Sequence, residues 1–216
     1  MHYQGVVFDL DGTLVDTLED LADAVNIVLA RRGYRRHPVE SIRSFVGNGS
    51  WNLIRRSLPD GEDEETVRHC LMEFKQEYAT GWANKTRPYP GVVELIEELA
   101  NIKVPAAVVT NKDEEFAKKV VAHFFPRGGL KIVIGNRPGL PLKPCPAGAL
   151  EAASRLCLKP DTLVYVGDSG VDMQTAAGAG MYAVGVLWGF RPEEELKRNR
   201  ARLLISRPQE LLSLLS

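Results

Sequence analysis

The sequence predicts an α/β fold: a doubly wound, mostly parallel, Rossmann-like sheet core with an all-helical cap domain inserted into it. Three observations predict it. Short runs rich in β-branched and aromatic residues recur along the chain. Helical periodicity fills several of the gaps between these runs, and residues 17–86 read as helices alone.

The first strand is expected at residues 5–10, Gly-Val-Val-Phe-Asp-Leu, closed by an Asp-Gly turn. The next segment carries helical patterns at 18–32, 39–46, 50–58 and 63–82. The chain returns through Arg87-Pro88-Tyr89-Pro90-Gly91, where two prolines and a glycine make a defined joint. The expected organisation is therefore an α/β core domain of residues 1–16 and 87–216 and a helical inserted domain of residues 17–86. In the core, the helix at 92–102 places Val92, Leu95, Ile96 and Leu99 on one stripe. Strand runs follow at 104–110, 130–135, 163–167, 182–187 and 203–206, with helices at 114–125, 147–156 and 172–179. Most of the runs are apolar on both faces, as a parallel sheet covered by helices requires.

Composition narrows the classes of function. With 216 residues and 44% hydrophobic content the chain can bury a sizeable core. A net charge of −1 gives no field that favours nucleic acid or an anionic membrane. The arginine groups at Arg31, Arg32, Arg35 and Arg36 and at Arg198, Arg200 and Arg202 read as solvated helix ends. Cys70, Cys145 and Cys157 form no CxxC pair and no even framework, so neither a disulfide scaffold nor a zinc site is expected. The expected setting is reduced and cytoplasmic, without a signal peptide or a bilayer span. The expected assembly is a monomer or homodimer.

In open α/β sheets the ligand site lies beyond the carboxyl ends of the strands. Asp9 and Asp11 end the first strand in Asp9-Leu10-Asp11-Gly12-Thr13. Two carboxylates two residues apart in an extended segment point the same way. Their repulsion is relieved by a hard, oxygen-seeking cation such as Mg²⁺. Gly12 lets the chain turn sharply and bring backbone amides to an anion. Thr110 and Asn111 end the second core strand, where a hydroxyl and following amides can hold a phosphoryl oxygen. Lys143, before Pro144, is held in extended geometry and can neutralise a nucleophile and a phosphoryl oxygen together. Asp168 ends the fourth strand in Gly167-Asp168-Ser169-Gly170-Val171-Asp172, and Asp172 lies one helical turn on. Each piece alone has an ordinary reading as a turn, a helix cap or a solvated lysine. Four such pieces in order on one rim of one sheet point to one site.

These four motifs resemble those of the haloacid dehalogenase-like superfamily: Asp-x-Asp-Gly-Thr, strand-end Thr, loop Lys and Gly-Asp-Ser-x-x-x-Asp. The resemblance implies that Asp9 attacks phosphorus and that Asp11 protonates the leaving oxygen, then activates water. It implies Mg²⁺ held by Asp9, the backbone carbonyl of Asp11, and Asp168, with Asp172 orienting that shell. Thr110 and Lys143 would hold the transferring phosphoryl group. Gly12, Thr13 and Asn111 are assigned to the substrate.

Residue choices separate branches of that superfamily. A dehalogenase lacks the second aspartate, and Asp11 is present. Mutases like β-phosphoglucomutase carry a histidine near Leu21, and none is there. A phosphonatase needs a cap lysine, and none occurs between Thr13 and Lys75. The segment Val46-Gly47-Asn48-Gly49-Ser50 opens a helix and resembles the substrate loop of bacterial phosphoglycolate phosphatases, as does the tail Gly185-Val186-Leu187-Trp188-Gly189. Gly47, Asn48 and Gly49 are therefore assigned to the substrate, with Arg55 reaching its carboxylate. The expected function is a Mg²⁺-dependent phosphatase acting on a small phosphorylated metabolite, first choice phosphoglycolate. The alternatives are another sugar phosphate, a nucleotide or pyrophosphate, and a non-catalytic module that binds a phosphorylated ligand.

Overall fold

Strand β1 (Gly5–Phe8) buries every one of its side chains, because helices cover both faces of the sheet it sits in. The structure is a computed structural model that describes residues 3–215, so Met1, His2 and Ser216 of the expected core lie outside it. After β1 come β2 (Val15–Asp16) and four helices, α1 (Leu18–Arg31), α2 (Val39–Phe45), α3 (Gly49–Ser57) and α4 (Glu64–Gly81). The chain then runs through β3 (Arg87–Pro88), α5 (Val92–Asn101), β4 (Ala106–Asp113), α6 (Glu114–Phe124) and β5 (Leu130–Asn136). It closes with α7 (Ala147–Leu156), β6 (Leu163–Gly167), α8 (Gly170–Ala179), β7 (Tyr182–Val186), α9 (Glu193–Arg198) and β8 (Leu203–Ile205).

Six strands form one sheet in the order β5-β4-β1-β6-β7-β8, with every neighbouring pair parallel. The chain winds outward from β1 first through β4 to β5, then on the other side through β6 to β8. That reversal makes β1 the switch point, where the crossovers leave a crevice at the strands' carboxyl ends. Register lines the ends up: Phe8 of β1 pairs with Val108 of β4 and with Val166 of β6. Asp9, Thr110 and Asp168 therefore emerge side by side.

Alternation along β1 divides the core in two. Val6 and Phe8 pack with Leu95, Ile96 and Leu99 of α5 and Val120 of α6. Val7 faces the other way, toward Ala149 and Ala152 of α7 and Met173 and Ala176 of α8. A third apolar cluster is built from α1–α4 themselves, joined by one residue from the core loop after β7, Phe190.

The two connections to the helical insert lie against each other. β2 and β3 pair antiparallel, Val15 with Pro88 and Asp16 with Arg87, and Tyr89 N donates to Leu14 O at 3.1 Å. Just beyond this pair, buried Asp20 of α1 accepts from Lys85 N at 3.0 Å, Thr86 N at 2.8 Å and the Thr86 hydroxyl at 2.8 Å. This carboxylate closes the base of the insert. Removing it strands buried backbone donors, so Asp20→Ala is expected to destabilise the chain by about 3 kcal/mol. Urea unfolding read by circular dichroism checks it, and a change under about 1 kcal/mol would show that water replaces the carboxylate.

Three departures from the expected elements have local causes. α8 starts at Gly170, two residues earlier than expected, because Ser169 caps it through a reciprocal pair with Asp172. β4 continues to Asp113, past the expected end, since Asp113 still pairs with Asn136 of β5. α9 is six residues long and buries only Leu196, which leaves too little apolar periodicity to read. No helix among the described residues is long and apolar enough to cross a membrane.

Candidate active site

Burial sets the chemistry at the sheet's crevice. Asp9, Asp168 and Asp172 bring carboxylate oxygens within 4.8 Å of one another, all three side chains buried. Lys143 Nζ donates to Asp172 Oδ1 at 2.7 Å and lies 2.8 Å from Asp9 Oδ1. Apart from that ammonium, this buried oxygen of Asp9 has no donor. Burial, then the neighbouring Asp172 charge, pushes the Asp9 carboxyl up to about 7, against the pull of Lys143. Burial, Asp172 and Asp9 together raise Asp168 well above the usual carboxylate range. Burial alone would lower Lys143, but the Asp172 and Asp9 charges outweigh it and hold the ammonium well above its ordinary value.

Three buried carboxylates thus share one ammonium, and their mutual repulsion favours a further positive charge among them. A hard divalent cation with oxygen ligands fits that donor set.

Local backbone explains how Asp168 is held so tightly. Its Oδ2 accepts from Phe190 N at 2.7 Å, and Thr13 Oγ1 donates to its Oδ1 at 3.4 Å. Two glycines make the room. A Cβ on Gly12, whose φ is +88°, would lie 2.4 Å from Asp168 Oδ2, and one on Gly189 would lie 2.2 Å from Asp168 Cβ. Asp172 is fixed from its own helix start: Ser169 N and Oγ donate to its Oδ2 at 3.1 and 2.6 Å.

Asp11 points away from this cluster. Its Oδ1 accepts from Thr17 Oγ1 at 2.8 Å and from Lys112 Nζ at 3.0 Å, and its Oδ2 lies 3.3 Å from the same Nζ. Lys112 also donates to the hydroxyl of Tyr78, from α4, at 2.9 Å. Asn111 ties the core to the insert: its Nδ2 donates to Gly47 O at 2.9 Å, and its Oδ1 accepts from Lys143 N at 2.8 Å. Between core and insert lies a cavity of about 60 Å³. Asp9, Asp11, Thr110, Asn111, Lys112 and Lys143 line one side, and Gly47, Gly49, Ser50, Leu53, Phe74 and Tyr78 the other.

The structure thus brings Asp9, Asp11, Thr110, Asn111 and Lys143 to one cavity with Gly47 and Gly49, and sets Asp168 and Asp172 behind Asp9. Other expected positions are corrected. Arg55 does not reach the cavity: it is exposed, and its Nη1 donates to Glu62 O at 2.8 Å. α3 buries Leu53, Ile54 and Ser57, and helical spacing turns Arg55 to the opposite face. Asn48 precedes α3 without lining the cavity, its carbonyl accepting from Asn52 Nδ2. Gly12 and Thr13 serve Asp168 rather than the cavity wall.

Sequence reasoning missed Lys112, Tyr78 and Arg191. Arg191 donates to Arg43 O and Val46 O, each at 2.6 Å, and so fastens the end of α2 to the loop beside Asp168. Lys112 follows Thr110 and Asn111 directly at the end of β4, where the register with β5 is irregular, and all three line the cavity. Tyr78 and Arg191 carry no such local sign.

The same fold recurs in solved structures, and the sequence has relatives along most of its length. The model of the family described as haloacid dehalogenase-like hydrolase matches residues 6–186. A phosphoglycolate phosphatase of Psychrobacter arcticus is 33% identical over 205 residues, covering 92% of this chain and 89% of that one. A solved structure from Lactobacillus delbrueckii subsp. bulgaricus superposes with a TM-score of 0.92 at 30% identity, over the whole of both chains. A predicted phosphoglycolate phosphatase from Haemophilus somnus also gives 0.92, at 25% identity over 99% of this chain and 98% of that one. Sheet order, strand-end carboxylates and these matches agree along nearly the full length, and the chain belongs to the haloacid dehalogenase-like hydrolases.

Proposed function

We propose that this chain is a Mg²⁺-dependent phosphomonoester hydrolase for a small carboxylated substrate of the phosphoglycolate type. The observation that carries the reading is Asp9: a buried carboxylate facing a cavity, with Lys143 at 2.8 Å and two further carboxylates behind it. Relatives named phosphoglycolate phosphatase support the substrate class. A cavity of about 60 Å³ favours a short ester over a nucleotide while the insert stays in place.

Asp9 attacks phosphorus, and an Asp9–phosphorus bond forms as the ester oxygen leaves. Asp11 gives that oxygen a proton, then takes one from the water that displaces Asp9. Thr110 and Lys143 hold the phosphoryl oxygens in line, since phosphoryl transfer depends on alignment and charge neutralisation. Asp9, Asp168 and the backbone carbonyl of Asp11 would hold the Mg²⁺, with Asp172 orienting them. The ion, when bound, supplies positive charge to the phosphoryl oxygens. Residues 17–86 act as a cap that keeps water out during the first transfer, swinging about the paired segments β2 and β3.

Phosphate release from a panel of small phosphoesters, with Mg²⁺ and with chelator, tests the reading. Turnover of phosphoglycolate that chelator abolishes is expected. No release from any ester would overturn it.

Metal binding also has a stability readout. At a hundredfold excess over its dissociation constant, Mg²⁺ is expected to stabilise the fold by about 2.7 kcal/mol. The raised carboxyl of Asp9 gives this a pH dependence. Without metal, native Asp9 keeps a proton between the usual carboxylate range and about 7 that the unfolded chain has lost. Stability therefore falls as pH rises through that window. Mg²⁺ competes with that proton, so its stabilisation is largest at pH 8 and shrinks toward pH 5. Identical melting in Mg²⁺ and in chelator at pH 8 would count against a metal site here.

A further inference from the structure

We infer that Lys112, assisted by Tyr78, is the residue that recognises the carboxylate of the substrate and so determines specificity. The inference rests on the phosphatase reading above and adds which side chains read the non-phosphoryl end.

The cavity needs a cation for a substrate carboxylate. Among the described residues that line it, the cations are Lys112 and Lys143. Lys143 is committed to Asp172 and Asp9, at the phosphoryl end. Arg55, the other candidate in sequence, is outside on the exposed face of α3. That leaves Lys112, whose side chain is only 7% exposed, so its field is little screened by solvent.

An ammonium has three N–H directions. Lys112 donates to Asp11 Oδ1 at 3.0 Å, to Asp11 Oδ2 at 3.3 Å and to the Tyr78 hydroxyl at 2.9 Å. The longer bond to Asp11 is the one a ligand carboxylate replaces, and the ammonium stands on the cavity wall where such a ligand would sit. The surroundings suit a small anion with a short apolar stem: Leu53 and Phe74 lie beside Tyr78, and Gly49 opens α3 on the same wall. Tyr78 can turn its hydroxyl proton to a carboxylate oxygen while still accepting from Lys112.

The position also explains why the far end of the substrate matters to the chemistry. Lys112 spans both oxygens of Asp11, at 3.0 and 3.3 Å. A ligand carboxylate that draws the ammonium toward itself leaves an Asp11 oxygen turned to the ester. Because Tyr78 comes from α4 and Lys112 from β4, the same carboxylate bridges insert and core. A substrate without it keeps Lys112 on Asp11 and lacks that bridge. Binding energy from the non-reacting end is then expressed in turnover, not only in affinity.

The test uses two esters matched in length, 2-phosphoglycolate and ethyl phosphate, with the wild-type chain, Lys112→Met and Lys112→Arg. The quantity read is the ratio of kcat/KM for the carboxylated ester over the neutral one. In the wild type the ratio is expected to be at least about 10²-fold, the range of one well-placed charged contact. In Lys112→Met it is expected to fall to within about fivefold of unity, with Lys112→Arg between the two. A ratio in Lys112→Met equal to the wild-type ratio would overturn the assignment, because the carboxylate would then be read elsewhere. So would a wild type that hydrolyses both esters equally well. Failure of the phosphatase reading looks different: the wild type then releases phosphate from neither ester. If Lys112→Met turns over neither, calorimetric binding of the two esters gives the ratio without chemistry. A binding ratio that collapses toward unity in Lys112→Met then supports the assignment, and one equal to the wild-type ratio overturns it.

Discussion

Asp9→Asn is expected to lower turnover by at least about 10⁴-fold while leaving the protein folded and, without metal, more stable above pH 7. The first half follows from chemistry. An amide of the same size fills the same space but does not attack phosphorus or carry the transferring group. The second half follows from the site's electrostatics. Asp9 is held up to about 7 by burial and by Asp172, so its charged form is disfavoured in the native state. Above pH 7 the native chain nevertheless carries that charge, and a neutral side chain removes the cost. Lys143 keeps its hydrogen bond to Asp172 in the variant. The pairing of outcomes is what discriminates. Phosphate release and thermal melting in chelator at pH 8 check them together. Residual turnover within about tenfold of wild type would remove Asp9 from the role of nucleophile. A variant that melts well below wild type would show that Asp9 is a structural ion-pair partner and that any loss of activity is indirect.

Much of the site could be read in the chain because it lies in local patterns. Asp9, Thr110 and Asp168 each end an apolar run, and a parallel sheet carries such ends to one rim whatever the details of packing. Asp172 follows Asp168 by one turn of a helix that begins at a serine cap, which is also a short-range feature. The insert showed itself as helices without strands, and its return through two prolines marks β3 and the start of α5. What could not be read depends on contacts far apart in the chain. Arg55 follows closely on Leu53, which lines the cavity, yet the side of α3 each occupies is decided by how α3 packs on α4. Tyr78 reaches Lys112 across 34 positions, and Arg191 reaches Val46 across 145. Asp20 appears as one more acid on a charged helix until Lys85 and Thr86 come back to meet it. Strand ends are fixed by the sheet, whereas the partners of a helix face are fixed only by docking.

Lys143→Met is expected to be the most damaging substitution for stability and to cut turnover by about 10³-fold. The lysine is the cation among three buried carboxylates, 2.7 Å from Asp172 and 2.8 Å from Asp9. Methionine matches its length, so packing is largely kept and charge is what changes. Removing one partner of a buried ion pair typically costs about 3–5 kcal/mol, because the other charge is left uncompensated. Here the uncompensated charges are several: Asp172 raises Asp9, and Asp172 and Asp9 raise Asp168. The loss must therefore depend on pH in a definite sense. It is greatest at pH 8, where Asp9 is ionised, and it shrinks as pH falls through about 7 and Asp9 takes up a proton in the native state. It must also depend on metal. A divalent cation supplies the missing positive charge, so Mg²⁺ should raise the unfolding free energy of Lys143→Met by more than it raises that of wild type. Urea unfolding at pH 5 and pH 8, each with Mg²⁺ and with chelator, measures both dependences. A loss below about 1 kcal/mol at pH 8 in chelator would mean that the three carboxylates already share protons in the native state and that Lys143 serves the phosphoryl group alone. A large loss that neither pH nor Mg²⁺ relieves would place its cause in packing around Tyr165, whose ring lies 5.9 Å from the ammonium, rather than in charge.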